Sequence, residues 1–272
     1  MRLSVDHVTR YRFDRPVRGA VQSHRLMPSE CHSQRVLDWQ VEVTGGIRGG
    51  RFRDGAGDRI QGWTIPGPLA EIVVTVQGTV ETVDLAGVLR GHRETVVPDA
   101  YLRDTPLTAA SVALADLAAA AQGGDMLSLA HALSGAVTAA IAYVPGATEA
   151  QTTAAEALAK GEGVCQDQAH ALIACARLRA IPARYVSGYL FAGSTSPPQQ
   201  AAHAWAELHV AGLGWVGFDP ANACCPDARY IRIGSGFDAQ DAAFIRGVAR
   251  GAAAAEGGES LEVAVAVHAA EQ

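Results

Sequence analysis

Cys165 differs from the other four cysteines in the local sequence pattern that surrounds it. Gly161 and Gly163 interrupt the chain just before it, and apolar residues then recur at helical spacing as far as Ile181, where Pro182 stops the pattern. Cys165 is therefore predicted to lie in the first turn of a helix, where unpaired N–H groups and the helix dipole stabilise a thiolate. Such a thiolate could act as a nucleophile in acyl transfer. The alternative is a small, buried apolar residue.

A nucleophilic cysteine needs a base, and His203 is the better candidate. His170 follows Cys165 by five positions, about 140° around a helix, so we predict that it is a structural packing residue. His203 lies near the start of an alternating segment, Ala202–Val210, that is predicted to be a strand. A short loop leads into a second strand that Asp219 ends, and a hairpin of this length brings Asp219 to within about two residues of His203. The residues of a base-activated thiol triad are thus available.

Four motifs resemble those of the bacterial transglutaminase-like cysteine hydrolases, which share the papain-like catalytic arrangement. They are GVCQDQAH, IPARYVSGYL, HAWAELHV and GWVGFDP, in this order within about residues 152–248. The resemblance implies Cys165 as nucleophile, His203 as base and Asp219 as the orienting acid. The segments RLSVDHVTRYRFDRPV, HRLMP and VLDWQVEV resemble the β-rich domain that precedes the catalytic core in one bacterial subgroup. After Asp219 the sequence reads DPANACCPD instead of the family's DPTN, which alters the expected pocket lining.

These features predict an α+β protein with an N-terminal antiparallel β domain and a papain-like or transglutaminase-like core. In that core, helices pack on an antiparallel sheet and the catalytic cysteine lies at a helix N-terminus. Residues 1–85 alternate as strands and form the predicted accessory domain, residues 86–106 a connector, and residues 107–272 the catalytic domain. Helices are predicted over Thr108–Ala121, over Met126–Tyr143 and after a capping box at Thr153, and a strand at residues 259–268 is predicted to close a sheet.

Composition narrows the classes of partner and the cellular setting. A formal net charge of −6 gives no basic surface for nucleic acid. No signal peptide is apparent, and the longest apolar run, Ala109–Ala121, is interrupted by Asp116 and too short to span a bilayer. The five cysteines show neither disulfide-framework spacing nor a CxxC pair, which predicts a reducing cytoplasm. No histidine or cysteine spacing is typical of a metal site, so we expect neither metal nor cofactor.

Several residues near the motifs are candidates for supporting roles. The Cys165 backbone N–H is placed to donate to an oxyanion, and Trp205, Tyr143 and Gln166 are candidates for a second donor or for the pocket lining. The polar loop Ala192–Gln200 leads to the predicted base and could form a rim or lid, or an ordinary surface loop. Further cysteines have other predicted roles: Cys175 is a core residue, and the adjacent Cys224 and Cys225 are oxidation-sensitive neighbours of the site.

The predicted function is hydrolysis of an amide or peptide bond in a peptide or protein substrate, through a thioester acyl-enzyme. Hydrolysis is favoured because the bacterial proteins that the motifs resemble look more like peptidases or amidases than cross-linking enzymes. One alternative is acyl transfer from protein glutamine to an amine, which uses the same triad. Another is a catalytically silent peptide-binding scaffold on this fold. The sequence does not specify the oligomeric state.

Overall fold

The computed structural model describes residues 1–193, 202–251 and 259–269, and these residues form twelve strands and four α-helices. The strands are β1 (Arg2–His24), β2 (Gln34–Val43), β3 (Ile47–Arg53), β4 (Arg59–Thr82), β5 (Ala142–Tyr143), β6 (Glu162–Gly163), β7 (Ala183–Leu190), β8 (Ala202–Val210), β9 (Gly214–Phe218), β10 (Tyr230–Gly236), β11 (Ile245–Arg250) and β12 (Glu259–Ala269). The α-helices are α1 (Val112–Ala120), α2 (Met126–Ala140), α3 (Ala154–Lys160) and α4 (Cys165–Leu178). Within the described ranges, no helix is both long and apolar enough to cross a membrane.

The long strand β1 organises an antiparallel sheet that has six strands among the described residues. One edge of β1 pairs with β4 along most of its length, and β4 pairs in turn with β2 and β3. The sequence predicts a break at Pro16, but both flanking segments belong to β1, because register shifts between Arg12 and Gly19 accommodate the proline. The N-terminal region is thus the antiparallel β structure that its alternation predicts.

Two strands from the C-terminal part of the chain complete this first sheet. β12 pairs with β1 from Leu3↔Ala269 to Phe13↔Glu259, so the prediction that residues 259–268 close a sheet is confirmed. β11, which the sequence analysis did not identify, pairs with the end of β1. The predicted catalytic unit, residues 107–272, therefore contributes strands to both sheets, and its bounds stay a prediction. The predicted small-residue linker at 251–258 lies, from residue 252, outside the described residues.

The second sheet has the order β10-β7-β8-β9, with antiparallel neighbours, and α4 packs against it. α1, α2 and α3 surround α4, which is buried at every position from Asp167 to Arg177. Small side chains make this burial feasible, because the four alanines Ala169, Ala171, Ala174 and Ala176 let neighbouring elements approach from several sides. The sheet and its helices form the α+β core that the sequence predicts.

Three predicted helix boundaries differ from the structure. The helix predicted to reach Tyr143 ends at Ala140, because Ala142–Tyr143 instead pairs in parallel with Glu162–Gly163. α4 ends at Leu178 rather than Ile181, since Ala180 takes a left-handed backbone conformation with φ of 56°. The helix predicted from Thr108 begins at Val112, where the preceding Ser111 accepts a hydrogen bond from the N–H of Leu114.

A buried ion network joins the two sheets. Glu207 on β8 accepts hydrogen bonds from Nε of Arg184 at 2.7 Å and from Nε of Arg232 at 2.8 Å. Arg232 also reaches the N-terminal region, where it donates to Oγ of Ser29 at 2.6 Å and to Oδ1 of Asp58 at 3.2 Å. Burial raises the pKa of Glu207, but the two arginines outweigh burial and lower it to about 2. The network therefore fixes β8, which carries the predicted base, to the neighbouring strands and the first sheet.

Candidate active site

Cys165 is the first residue of α4 and is half-buried. At this position its backbone N–H has no acceptor within the helix, so the group is free to donate to a ligand. The carboxylate of Asp167, two residues further on in the same turn, accepts hydrogen bonds from neighbouring groups. Its Oδ2 atom accepts hydrogen bonds from the N–H of Val164 at 2.8 Å and from Oγ1 of Thr148 at 2.6 Å. These bonds fix the backbone that leads into the helix.

His203 lies between Cys165 and Asp219. Its Nε2 atom is 2.7 Å from Oδ2 of Asp219, and the ring lies close enough to Cys165 for that group to raise the pKa of His203. Because Nε2 faces the carboxylate, Nδ1 is the ring nitrogen available to the sulfur. The β8–β9 hairpin supplies this arrangement. Ala206 pairs with Phe218, so in the same register His203 lies opposite position 221, two residues beyond Asp219. The predicted hairpin, with Asp219 within about two residues of the position opposite His203, is confirmed.

The carboxylate of Asp219 is fully buried and held by several donors. Oδ2 accepts hydrogen bonds from Oη of Tyr230 and from Nδ2 of Asn222, both at 2.7 Å. Oδ1 accepts from the backbone N–H groups of Ala221 at 3.0 Å and of Asn222 at 3.3 Å. In addition, the Asp219 N–H donates to the carbonyl of Cys224 at 2.8 Å. These bonds fix the orientation of the carboxylate and stabilise its charged form.

The charged groups in this cluster shift one another's pKa values. Burial lowers the pKa of His203, but hydrogen bonds and charge interactions with Asp219 and Cys165 outweigh burial and raise it to about 10. Burial raises the pKa of Asp219, but the contacts with His203, Asn222 and Tyr230 lower it overall. The contacts with Asp219 therefore favour the protonated form of the His203 imidazole.

Trp205 packs beside the histidine. Its ring centroid lies 6.4 Å from that of His203 in a stacked orientation, and 5.5 Å from that of Tyr230 at nearly a right angle. The indole needs the absence of a side chain at Gly188, where a Cβ atom would lie 2.6 Å from the ring. The structure thus gives Trp205 a packing contact with the imidazole, and its predicted part in the oxyanion site or pocket stays a prediction.

The other two candidates for the pocket have different surroundings. Burial raises the pKa of Tyr143, and the charges of Cys165 and Asp219 raise it further, so the phenol lies within electrostatic reach of both groups. The side-chain amide of Gln166 donates instead to the backbone carbonyl of Ala150 at 3.1 Å. Their roles as oxyanion donors stay predictions.

The other residues that the sequence pointed to lie elsewhere in the fold or outside the residues that the structure describes. His170 is fully buried, and its Nε2 atom accepts a hydrogen bond from the N–H of Ala239 at 3.0 Å. Burial lowers the pKa of His170 to about 4 and raises that of Cys175 in the core to about 12. The predicted rim or lid at 192–200 lies, from residue 194, outside the described residues. Within the described ranges, no group of three or more potential metal ligands occurs.

Sequence reasoning missed the contacts that Tyr230 and Asn222 make with the carboxylate. Asn222 had a local signal, because an aspartate followed by proline often opens a turn in which its side chain accepts nearby N–H groups. Tyr230 had none beyond the prediction that it starts a strand. Its hydroxyl also lies 3.3 Å from Sγ of Cys224, so one of the two adjacent cysteines contacts the residues that hold Asp219.

A thiol at a helix N-terminus, a histidine and a carboxylate on adjoining antiparallel strands, and a preceding β domain define a transglutaminase-like architecture. Residues 3–81 match the bacterial transglutaminase-like N-terminal region, and residues 115–220 match the transglutaminase-like superfamily. The two matches together cover most of the chain, in the expected order. The chain thus carries a bacterial transglutaminase-like N-terminal region followed by a domain of the transglutaminase-like superfamily.

Two mycobacterial proteins and one solved structure are similar to this chain. An uncharacterized protein of Mycobacterium leprae is 29% identical, with 98% of each chain covered. An uncharacterized protein of Mycobacterium tuberculosis is 40% identical over 118 residues, which cover 39% of this chain and 37% of that protein. A solved protein of Cytophaga hutchinsonii, described as a candidate cysteine protease, is 22% identical, with a TM-score of 0.72 over 100% of this chain and 92% of that one. The last comparison shows a shared fold.

Proposed function

We propose that this protein is a cysteine-dependent hydrolase of amide bonds in peptides or proteins. The observation that carries the proposal is the position of His203, whose Nε2 atom lies 2.7 Å from the buried carboxylate of Asp219 and whose ring is close enough to Cys165 for the two groups to interact. A base held between a thiol and an orienting carboxylate is needed for chemistry and has no evident use in a passive scaffold.

In the proposed reaction, the Cys165 thiolate attacks the amide carbonyl carbon and forms a carbon–sulfur bond. The free N–H of Cys165 donates to the oxygen as negative charge develops on it. His203 transfers its proton to the leaving nitrogen as the carbon–nitrogen bond breaks, which leaves a thioester and a free amine. His203 then takes a proton from water, the resulting hydroxide adds to the thioester, and the carboxylic acid and Cys165 are released. Asp219 orients the imidazole and stabilises its cation throughout.

Water is proposed as the natural acyl acceptor because the motifs resemble bacterial peptidases and amidases more closely than cross-linking enzymes. A primary amine would use the same thioester, so the two reactions differ only in the second step. The cytoplasmic setting is likewise a proposal, based on the cysteine content.

The test is a peptide-library digestion followed by intact-protein mass spectrometry of the quenched reaction. We expect cleaved or deamidated products and a transient acyl adduct that maps to Cys165. Neither should form with Cys165→Ser or His203→Ala protein, whereas a Cys31→Ser control should retain both. Parallel reactions with and without a primary amine separate hydrolysis from transfer. Product that appears only when the amine is present would overturn hydrolysis, and full turnover by Cys165→Ser protein would overturn the whole mechanism.

A further inference from the structure

The N-terminal sheet contains a cavity of about 450 Å³, which is within the range of about 300–1,000 Å³ that is usual for ligand sites. Strands β1, β2, β3 and β4 and the segment after β1 line it, and none of the three proposed catalytic residues does. Apolar side chains, among them Leu26, Met27 and Ile60, contribute to its wall together with Trp39. The cavity therefore offers a site that the proposed amide chemistry does not use.

Two arginines on β3 give this cavity its charge. Arg48 pairs in register with Trp63, and Arg51 pairs with Gln61, so three residues of β3 span two residues of β4. This bulge, at Gly49–Gly50, brings both arginines to the same face of the sheet. A glycine suits position 49 because a Cβ there would lie 3.3 Å from the facing Gly62 carbonyl.

Among the described residues, no carboxylate neutralises the charges of these two arginines. Arg48 donates to the carbonyl of Val41 at 3.3 Å and lies 5.4 Å from the centre of the Trp63 ring. Arg51 donates to Oε1 of Gln61 at 3.2 Å. Neither forms an ion pair with a carboxylate among the described residues, unlike Arg59, which also lines the cavity but is paired with Glu30. Two unneutralised guanidinium groups favour an anionic ligand, and a carboxylate suits their planar geometry.

His24 adds a second, independent feature. It lines the cavity, is only 1% exposed, and its Nδ1 atom has no hydrogen-bond partner in the part of the chain that the structure describes. Its Nε2 atom lies 2.9 Å from Oε1 of Gln22, an acceptor, so the ring proton is on Nε2 and Nδ1 carries a lone pair. Burial lowers the pKa of His24 to about 4, which keeps the ring neutral at physiological pH. A buried acceptor without a partner requires a donor, and a ligand N–H would supply one.

We propose that this cavity binds the C-terminal residue of a peptide that ends in an apolar amino acid. Its free carboxylate binds Arg48 and Arg51, its amide N–H donates to Nδ1 of His24, and its side chain contacts the apolar wall. A fatty acid shares the carboxylate and the apolar body but lacks the N–H donor. Asp38 also lines the cavity, so a second negative charge on the ligand is disfavoured. The proposal does not depend on chemistry at Cys165.

Titration calorimetry with the full-length protein tests this site. The probes are N-acetyl-Ala-Ala-Leu with a free carboxylate, its C-terminal amide, its analogue with N-methylated leucine, and decanoate. We expect the free acid to bind and the amide to bind about tenfold or more weakly, because charge-assisted hydrogen bonds are lost. N-methylation should also weaken binding by about tenfold, since it removes the donor to His24. Wild-type and Cys165→Ser proteins should bind equally, which separates this site from the proposed catalytic one.

Three variants complete the design. Arg48→Gln and Arg51→Gln should each weaken the free acid about tenfold or more and leave the amide unchanged. Arg35→Gln is the matched control, because Arg35 lies on β2 with 73% of its side chain exposed and does not line the cavity. Equal binding of acid and amide, unchanged binding by Arg51→Gln, or no binding of any probe would overturn the proposal. Decanoate binding as tightly as the peptide would replace the peptide terminus with a fatty acid.

Discussion

Replacing Asp219 by Asn tests the proposed triad through one measurable quantity, the pKa of His203. The two side chains are joined by a 2.7 Å hydrogen bond, which places the centres of their charges about 4 Å apart. At an effective dielectric constant of about 20, such a pair is worth about 4 kcal/mol. This free energy corresponds to about three pKa units. The pKa of His203, raised to about 10 in the intact site, should therefore fall to about 7 in the variant.

The sign follows from which form the carboxylate stabilises. Asp219 favours the protonated imidazole, so removing its charge releases the proton at lower pH. Above about pH 7 the variant would lack the proton that the leaving amine needs, and acylation should slow by roughly 10²–10⁴-fold. The alkaline limb of the pH profile of kcat/KM should likewise move to lower pH. The substituted residue has nearly the same shape as aspartate, so the fold should persist.

NMR titration of the imidazole C–H signals measures the pKa directly, without a substrate. Asp227→Asn is the control, because Asp227 lies in the same loop region and hydrogen-bonds with Arg229 rather than with the site. It should leave the titration of His203 unchanged. A pKa that stays near 10 in Asp219→Asn protein would refute the assignment of Asp219 as the group that stabilises the imidazolium.

Three further predictions concern the scaffold. Glu207→Gln should lower the free energy of unfolding at pH 7 by about 3–5 kcal/mol, since it removes the carboxylate that the buried Arg184 and Arg232 share. Because the folded-state pKa of Glu207 is depressed from 4.5 to about 2, its stabilisation of wild type should be present above pH 4.5 and lost as the pH falls towards 2, as urea melts at several pH values would show. Ala180→Gly should raise the free energy of unfolding by about 1 kcal/mol, because glycine adopts a left-handed φ without strain. Ala119→Gly, in an exposed helical turn, should lower it by about 1 kcal/mol. The opposite ranking in denaturant melts would contradict this. Gly188→Ala should lower the free energy of unfolding by about 1–3 kcal/mol and change the fluorescence of Trp205, because the added Cβ would clash with the indole ring.

Local pattern was sufficient to predict the parts of the site that are close together in sequence. The helix that begins at Cys165 is predicted by the two glycines just before it and by the helical spacing of its apolar residues. The β8–β9 hairpin is predicted by the alternating sequence of β8 and the short loop that follows it. Both depend on interactions over a few residues, which side-chain periodicity records. The family resemblance added the roles of the residues, which spacing alone does not supply.

Features that depend on distant pairing could not be predicted in this way. The segment Ile47–Arg53 is exposed throughout and carries two glycines, so it lacks the alternation of a half-buried strand and became β3 only by pairing with β4. Tyr143 lies outside the helix predicted for it, because Ala142–Tyr143 pairs with Glu162–Gly163 instead of continuing the helix. Glu207 falls on a polar face of a strand, and only the folded structure shows that buried arginines enclose it.

The pairing of β1 with the C-terminal strands has a consequence for biosynthesis. About 160 residues separate the end of β4 from the start of β11, which at ribosomal rates is on the order of ten to thirty seconds of synthesis. During this interval β1 and β4 can pair, but the opposite edge of β1 has no partner. A long, unpaired strand edge is a site for aggregation. We therefore expect the nascent chain to need protection at this edge until its last strands emerge, long after the proposed nucleophile has been made.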